Sequence, residues 1–173
     1  FWIETKKISN ISISQNFRYI TKPNKNSLIM DRDYSAGFEI NFKSLSNLSI
    51  DFSYPYTYLD SEFNVTRKDG AIPIPIGGYN YPNFEISFRN GFFNKFSYFV
   101  EIGRGQFFNG NKKSFQLRLN YRVEPIFQTS LNISYDKIKL PKPYDTAGLW
   151  LVGPKINFTF NKKIGNEKKS TID

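Results

Sequence analysis

Apolar and polar residues alternate along most of this chain, most regularly over residues 115–124. One set of alternate positions is apolar and the other is polar or charged. The apolar set is Phe115, Leu117, Leu119, Tyr121 and Val123, and the polar set is Gln116, Arg118, Asn120, Arg122 and Glu124. Because successive side chains of a β-strand point to opposite faces of a sheet, this segment predicts a strand with one apolar and one polar face.

The same alternation predicts eight strands, over residues 8–21, 30–43, 46–60, 79–90, 95–108, 112–124, 126–140 and 149–162, with a break at Pro82-Asn83. Short connections follow the second, fourth and sixth strands, and longer ones follow the first, third and seventh. Only the connection at 109–111 is short where a long one is expected. This parity is typical of an antiparallel up-and-down meander with short turns on one side. We therefore predict an all-β fold, a transmembrane β-barrel or part of a larger one.

The composition also favours strands. Of 173 residues, 18% are aromatic, including 18 Phe and 11 Tyr, and such side chains suit a pleated surface. No apolar run approaches the ~20 residues of a membrane-spanning helix, whereas a spanning strand needs only ~9–11. We expect a barrel domain over residues 1–162 and a polar, Lys-rich tail over 163–173. The start at Phe1 leaves two readings, a processed leader or an internal piece of a longer protein.

The chain contains neither Cys nor His. These absences remove disulfides, thiolate chemistry, and the commonest general base and metal ligand. No nucleophile has an adjacent base, so we expect neither enzymatic activity nor a cofactor. The net charge is +9, but the 24 basic residues are scattered along the chain and form no stripe. Nucleic acid is therefore not expected as a partner.

Several charged residues fall on the polar faces of the fourth to sixth strands. They form the candidate lumen lining, Glu85, Arg89, Glu101, Arg118, Arg122 and Glu124. They would either bind passing solutes or pair with one another to fill a small barrel. A glycosidase pair of Glu85 and Glu101 is disfavoured, because nearby arginines would keep both carboxylates ionised.

Two settings fit an apolar face on every strand. In a bacterial outer-membrane barrel that face meets lipid and the polar face lines the lumen. In a soluble, lipocalin-like barrel the apolar face lies inside and binds a hydrophobic ligand. We predict the first, a non-enzymatic solute pore, or an anchor or docking barrel for an N-terminal domain or another outer-membrane or secretion-related protein. Its expected partners are membrane lipid and a glycan or small solute. The direction of the face carrying Phe115 and Leu117 separates the two settings.

Two local patterns carry further predictions. Gly103-Arg104-Gly105 lies inside a strand pattern and precedes no helix, so we expect a bulge or a close approach of two backbones there, not a phosphate loop. Aromatic residues also gather near the predicted strand ends, as interfacial girdles do in membrane barrels. They are Tyr19, Tyr54, Tyr56, Tyr58, Tyr79, Tyr81, Phe107, Phe108, Tyr144 and Trp150.

The second half of the chain carries a family resemblance. Its motifs are the hairpin from Gly105 to Gly110, the strand and turn at 120–125, LPKPY at 140–144, and LWLVGPKINFTF at 149–160. From about Phe84 onward these resemble the C-terminal barrel of a Bacteroidetes family, in which a carbohydrate-binding-module-like domain of family 9 type precedes an outer-membrane barrel of unassigned function. The resemblance implies a carbohydrate-related setting and supplies no catalytic residues. The family continues with further strands, whereas here a Lys-rich tail follows Phe160.

Overall fold

Ten strands form one antiparallel sheet in the computed structural model, which describes residues 6–22, 28–64, 69–91, 93–123, 125–144 and 146–158. The strands are β1 (Ile8–Thr21), β2 (Ile29–Phe42), β3 (Asn47–Ser53), β4 (Tyr56–Leu59), β5 (Gly77–Asn80), β6 (Asn83–Arg89), β7 (Phe96–Phe107), β8 (Gly110–Val123), β9 (Phe127–Lys139) and β10 (Thr146–Phe158). The described residues contain no helix, so none that could cross a membrane. The predicted all-β antiparallel fold is confirmed.

The ten strands correspond to eight passes of the chain. β3 and β4 both pair with β2, and β5 and β6 pair with β4 and β3 respectively. The break between β5 and β6 falls at Tyr81-Pro82, beside the predicted one, while the break at Tyr54-Pro55 was not predicted. Proline has no N–H to donate to a neighbouring strand, which explains why each ladder bends there. The chain stays paired across both breaks, since Tyr81 N–H donates to the Pro55 carbonyl at 3.1 Å.

Each pass lies beside the previous one, from β1 at one edge of the sheet to β10 at the other. The sheet is not closed, because among the described residues β1 pairs only with β2 and β10 only with β9. Both edges are long, at 14 and 13 residues. One side of each edge strand therefore presents unpaired backbone N–H and C=O groups.

Strand limits differ from the prediction mainly at glycines. β5 starts at Gly77 and β8 at Gly110, each two residues before the predicted start, because glycine contributes nothing to an alternating pattern. β10 starts at Thr146, three residues early. Glu124, the last predicted strand residues 159–162 and the predicted tail 163–173 lie outside the described residues.

The segment Gly103-Arg104-Gly105 belongs to β7 and pairs without any register shift with both β6 and β8. The predicted bulge is therefore wrong, and the predicted close approach is correct. A methyl group on Gly105 would stand 2.5 Å from the carbonyl oxygen of Pro82, so only glycine fits between the strands.

Candidate functional site

The pairing carries the two-residue alternation across the whole sheet. Residues at paired positions of neighbouring antiparallel strands lie on the same face, so each row of pairs can be followed from edge to edge. One row crosses all eight passes and contains only apolar or aromatic residues, Ile13, Phe38, Ile50, Ile86, Ile102, Phe115, Tyr135 and Trp150. The next row on this face is also apolar throughout, Ile11, Ile40, Leu48, Phe88, Val100, Leu117, Ile133 and Val152.

We call this surface the apolar belt. It is not covered by any described part of the chain: Ile13 is 75% exposed, Ile102 60% and Val152 58%. Soluble monomers rarely leave a continuous apolar surface of more than a few hundred Å² in water. A surface that crosses an entire sheet therefore marks contact with lipid, with a ligand or with another protein.

The belt runs obliquely to the strands. On β1 the largely apolar stretch of this face extends from position 11 to 19 and is centred at Gln15, whose row reaches Gly148 on β10. On β10 the apolar stretch extends from position 150 to 158 and is centred six residues further along, at Pro154. Over seven steps between strands the belt thus shifts by about one residue a step. Six residues over seven steps, at ~3.3 Å per residue and ~4.8 Å between strands, correspond to a strand tilt of about 30°. Transmembrane barrels tilt their strands by a similar angle.

Aromatic pairs form the margins of the belt at both ends. Toward the long connections the rings of Tyr135 and Trp150 lie 4.4 Å apart, and those of Phe17 and Tyr19 6.3 Å apart. Toward the short turns the rings of Phe127 and Phe158 lie 5.1 Å apart. The middle of the belt is mainly aliphatic. Two aromatic margins around an aliphatic band are the pattern of interfacial girdles.

Half of the aromatic residues that we assigned to the girdle lie elsewhere, and that part of the prediction is wrong. Tyr19 and Trp150 do flank the belt. Five others lie on the polar side of the sheet near the long connections, where four pack against the cluster around the buried loop residue Ile74 and the fifth, Tyr81, packs against Phe107 and Phe108. They are Tyr79, Tyr81, Phe107, Phe108 and Tyr144.

These aromatic residues surround a small buried cluster, which we call the cap. Its centre is Ile74 of the 60–76 connection, which is 1% exposed, with Ile138, Leu140 and Ala147. Phe108 closes the two-residue turn between β7 and β8 with a φ of 51°, a costly conformation for a bulky residue. Rings of Phe63, Tyr79, Tyr81 and Phe107 lie within 5.6 Å of its ring and hold it there.

The cap shows which way the sheet curls. It joins the connection between β4 and β5 to β9 and β10, although β6, β7 and β8 separate these strands in the sheet. Ile138 and Ala147 are a directly paired couple on the polar face. The sheet must therefore curve toward its polar face, which lies inside the curl, while Phe115, Leu117 and the rest of the belt lie outside.

All described members of the candidate lumen lining share this inner face. Glu85 and Arg89 come from β6, Glu101 from β7, and Arg118 and Arg122 from β8. Each is paired with residues of the same face on the neighbouring strands, and Phe99 on β7 lies between Arg89 and Arg118. Glu124 lies outside the described residues. The strand pairing therefore brings these five side chains to one face of the sheet.

Among the candidate lining residues, two arginines lie together around one aromatic ring. Arg89 and Arg118 lie on either side of the Phe99 ring, with guanidinium carbons 5.3 and 5.7 Å from its centre. Arg118 also donates to the Asn132 side-chain oxygen at 2.9 Å. Phe99, which breaks the alternation in the sequence, thus separates two like charges by cation–π contact.

The acidic residues lie nearer the cap. Asp51 and Glu85 are directly paired, and Glu101 lies one row further toward the short turns. Among the described residues neither Glu85 nor Glu101 forms an ion pair, and the ion pairs present are Lys22 with Asp60 and Lys112 with Asp136. Within the same described ranges no group of acidic side chains is arranged to hold a metal ion. Among the candidate residues, the carboxylates of Glu85 and Glu101 thus lie nearer the cap than the arginine layer formed by Arg89 and Arg118.

Polar side chains near the short turns satisfy one another. Asn47 donates to Glu39 at 2.5 Å and to the Asn41 side-chain oxygen at 2.9 Å, and Ser49 donates to Asn47 at 3.1 Å. Such a network fixes side chains on a face that packs against no apolar layer.

Comparison of the chain with protein-family models, with curated proteins and with solved structures finds no match. The function is therefore inferred from the two faces of the sheet and from the cap. An apolar belt, an opposite charged face and the cap near the long connections are the features that any function must use.

The cap yields a stability prediction. Ile74→Ala removes a fully buried side chain and should lower the free energy of unfolding by about 2–4 kcal/mol. Urea unfolding and the rate of limited proteolysis within 60–76 measure the effect.

Ile72→Ala and Ile76→Ala provide matched controls, because these side chains are 53% and 55% exposed in the same connection. Both controls should behave like the unmodified chain. Equal effects at positions 72, 74 and 76 would show that the cap is not a packed cluster.

Proposed function

We propose that this chain is a membrane-embedded wall of an outer-membrane β-barrel, without enzymatic activity. The observation that supports it is the apolar belt, which lies outside the curl of the sheet and is flanked by aromatic pairs. Its oblique course adds the strand tilt of a transmembrane barrel. A lipocalin-like carrier would instead need the apolar face inside the curl, where Glu85, Glu101 and the arginines lie.

Contact with lipid requires that the backbone groups at both edges of the sheet are hydrogen-bonded. No water hydrogen-bonds a strand edge in the hydrocarbon core, so an open edge costs several kcal/mol for each unsatisfied group. The free edges of β1 and β10 are therefore paired in the membrane, with each other or with further strands.

The cap favours an anchor or docking role over an open pore. It covers the inner face at the end of the long connections, and the arginine layer lies toward the short turns. The partner is a domain or protein held at the membrane. In view of the resemblance to a barrel that follows a carbohydrate-binding-module-like domain, a glycan-handling domain is the partner to test first.

Charged substitutions on the two faces test the membrane placement. Ile86→Arg places a charge in the middle of the belt and should lower folding stability in lipid vesicles by about 2–4 kcal/mol. Ser87→Arg, the next residue on the inner face, should cost at most about 1 kcal/mol. Urea titration of the protein refolded in phosphatidylcholine vesicles measures both values. Equal costs, or a folded Ile86→Arg protein that needs no lipid or detergent, would contradict the proposal.

Conductance tests the choice between anchor and pore. The intact protein reconstituted in a planar bilayer should show no stable open-channel steps, because the cap covers the inner face at one end and a barrel closed by these eight passes alone leaves little space between side chains. Ile74→Glu, which puts a charge into the cap, should produce intermittent conductance, whereas Ile72→Glu should not. Steady large steps from the intact protein would establish a solute pore instead.

A further inference from the structure

The outer face has a one-sided charge distribution that the apolar belt does not explain. All acidic residues of the described strands lie on the inner face: Asp31, Asp33, Glu39, Asp51, Glu85, Glu101 and Asp136. The outer face nevertheless carries basic residues, all toward the long connections: Arg32, Arg104, Lys113, Lys137 and Lys139.

Three of them form one row directly beside the belt, which we call the basic row. Arg104 on β7 is paired with Lys113 on β8, and Lys113 is paired with Lys137 on β9. The adjacent row of the belt contains Ile102, Phe115 and Tyr135. Like charges directly opposite each other destabilise a sheet, so three in succession carry a cost within the protein.

Nothing in the described chain offsets that cost. All three side chains are exposed, and none forms an ion pair, a side-chain hydrogen bond or a cation–π contact within the described ranges. The adjacent Lys112, whose side chain points inward, does form an ion pair with Asp136 at 3.2 Å. The contrast between neighbours on one strand indicates that the charge compensating the basic row comes from outside the described residues.

We propose that the basic row binds the phosphate groups of anionic lipid headgroups in the leaflet on the side of the long connections. This inference rests on the proposed membrane placement. Long lysine and arginine stems lie along apolar surface while their charged ends reach the headgroup level, one row beyond an aromatic margin. Each lysine or arginine near an anionic membrane surface contributes about 1 kcal/mol to the binding free energy. Three such residues on adjacent strands can share several phosphate groups.

The fluorescence of Trp150 can report which lipids lie near the basic row. It lies on the same face as the basic row. Its partner on β9 is Tyr135, which lies two residues before Lys137. Its side chain is 67% exposed. The chain has one other tryptophan, Trp2, so Trp2→Phe leaves a single fluorophore beside the row. Bromine atoms on lipid acyl chains quench a tryptophan that they touch, which makes the quenching a measure of which lipids surround Trp150.

The experiment compares brominated phosphatidylcholine with brominated phosphatidylglycerol, each as the minor component in vesicles of unbrominated phosphatidylcholine. Trp150 should be quenched more strongly by the anionic lipid, and added salt should reduce the difference. Lys113→Gln should lower the relative enrichment of the anionic lipid about fivefold, and Lys113→Gln with Lys137→Gln about 25-fold. Lys112→Gln, on the inner face, should leave the enrichment unchanged. Inorganic phosphate should compete only weakly, since it lacks the membrane-bound acyl chains.

The outcomes separate the two claims. Equal quenching by both lipids in the unmodified protein, or enrichment that survives the double substitution, overturns the basic row as a headgroup site and leaves the membrane placement intact. An absence of quenching by either brominated lipid overturns the membrane placement and this inference together.

Discussion

The structure depends on one constraint, the in-register pairing of strands whose side chains alternate with a period of two. A shift of one residue in any ladder would move every side chain of a strand to the opposite face. The ladders from β6 to β10 run without any register shift, and those of β1 with β2 shift only at their ends. In-register pairing therefore aligns the apolar positions of neighbouring strands on one face and the polar positions on the other. The eight passes thus form two continuous surfaces.

The two surfaces carry different types of residue. The outer one is apolar, with aromatic margins and a basic row, and has no acidic residue on any described strand. The inner one holds the acidic residues and an arginine layer around Phe99. Because the sheet curls toward the inner face, the costly burial of charge is limited to a space lined by other polar groups. The cap covers one end of the inner face with the only cluster of buried apolar side chains among the described residues.

The strands were predictable from sequence because alternation is local. The alternation within residues 115–123 is enough to predict β8. The same alternation identified the five described lumen candidates as polar-face residues. The cap was not predictable, because Ile74 lies between prolines in a connection and meets Ile138 only after the sheet has curled. The grouping of the charged candidate residues was not predictable for a related reason. Which charges become neighbours depends on the register between strands. Lys113 and Lys137 look like ordinary strand-end lysines until pairing places them opposite each other.

The central claim is that the belt faces lipid and the charged face does not. A nitroxide scan along β8 tests it, since the chain contains no Cys and each introduced label is unique. In lipid vesicles, collision with oxygen, which concentrates in the hydrocarbon, should be high at positions 115, 117, 119 and 121. It should be low at 116, 118, 120 and 122. A flat profile, or maxima at the even positions, would contradict the account.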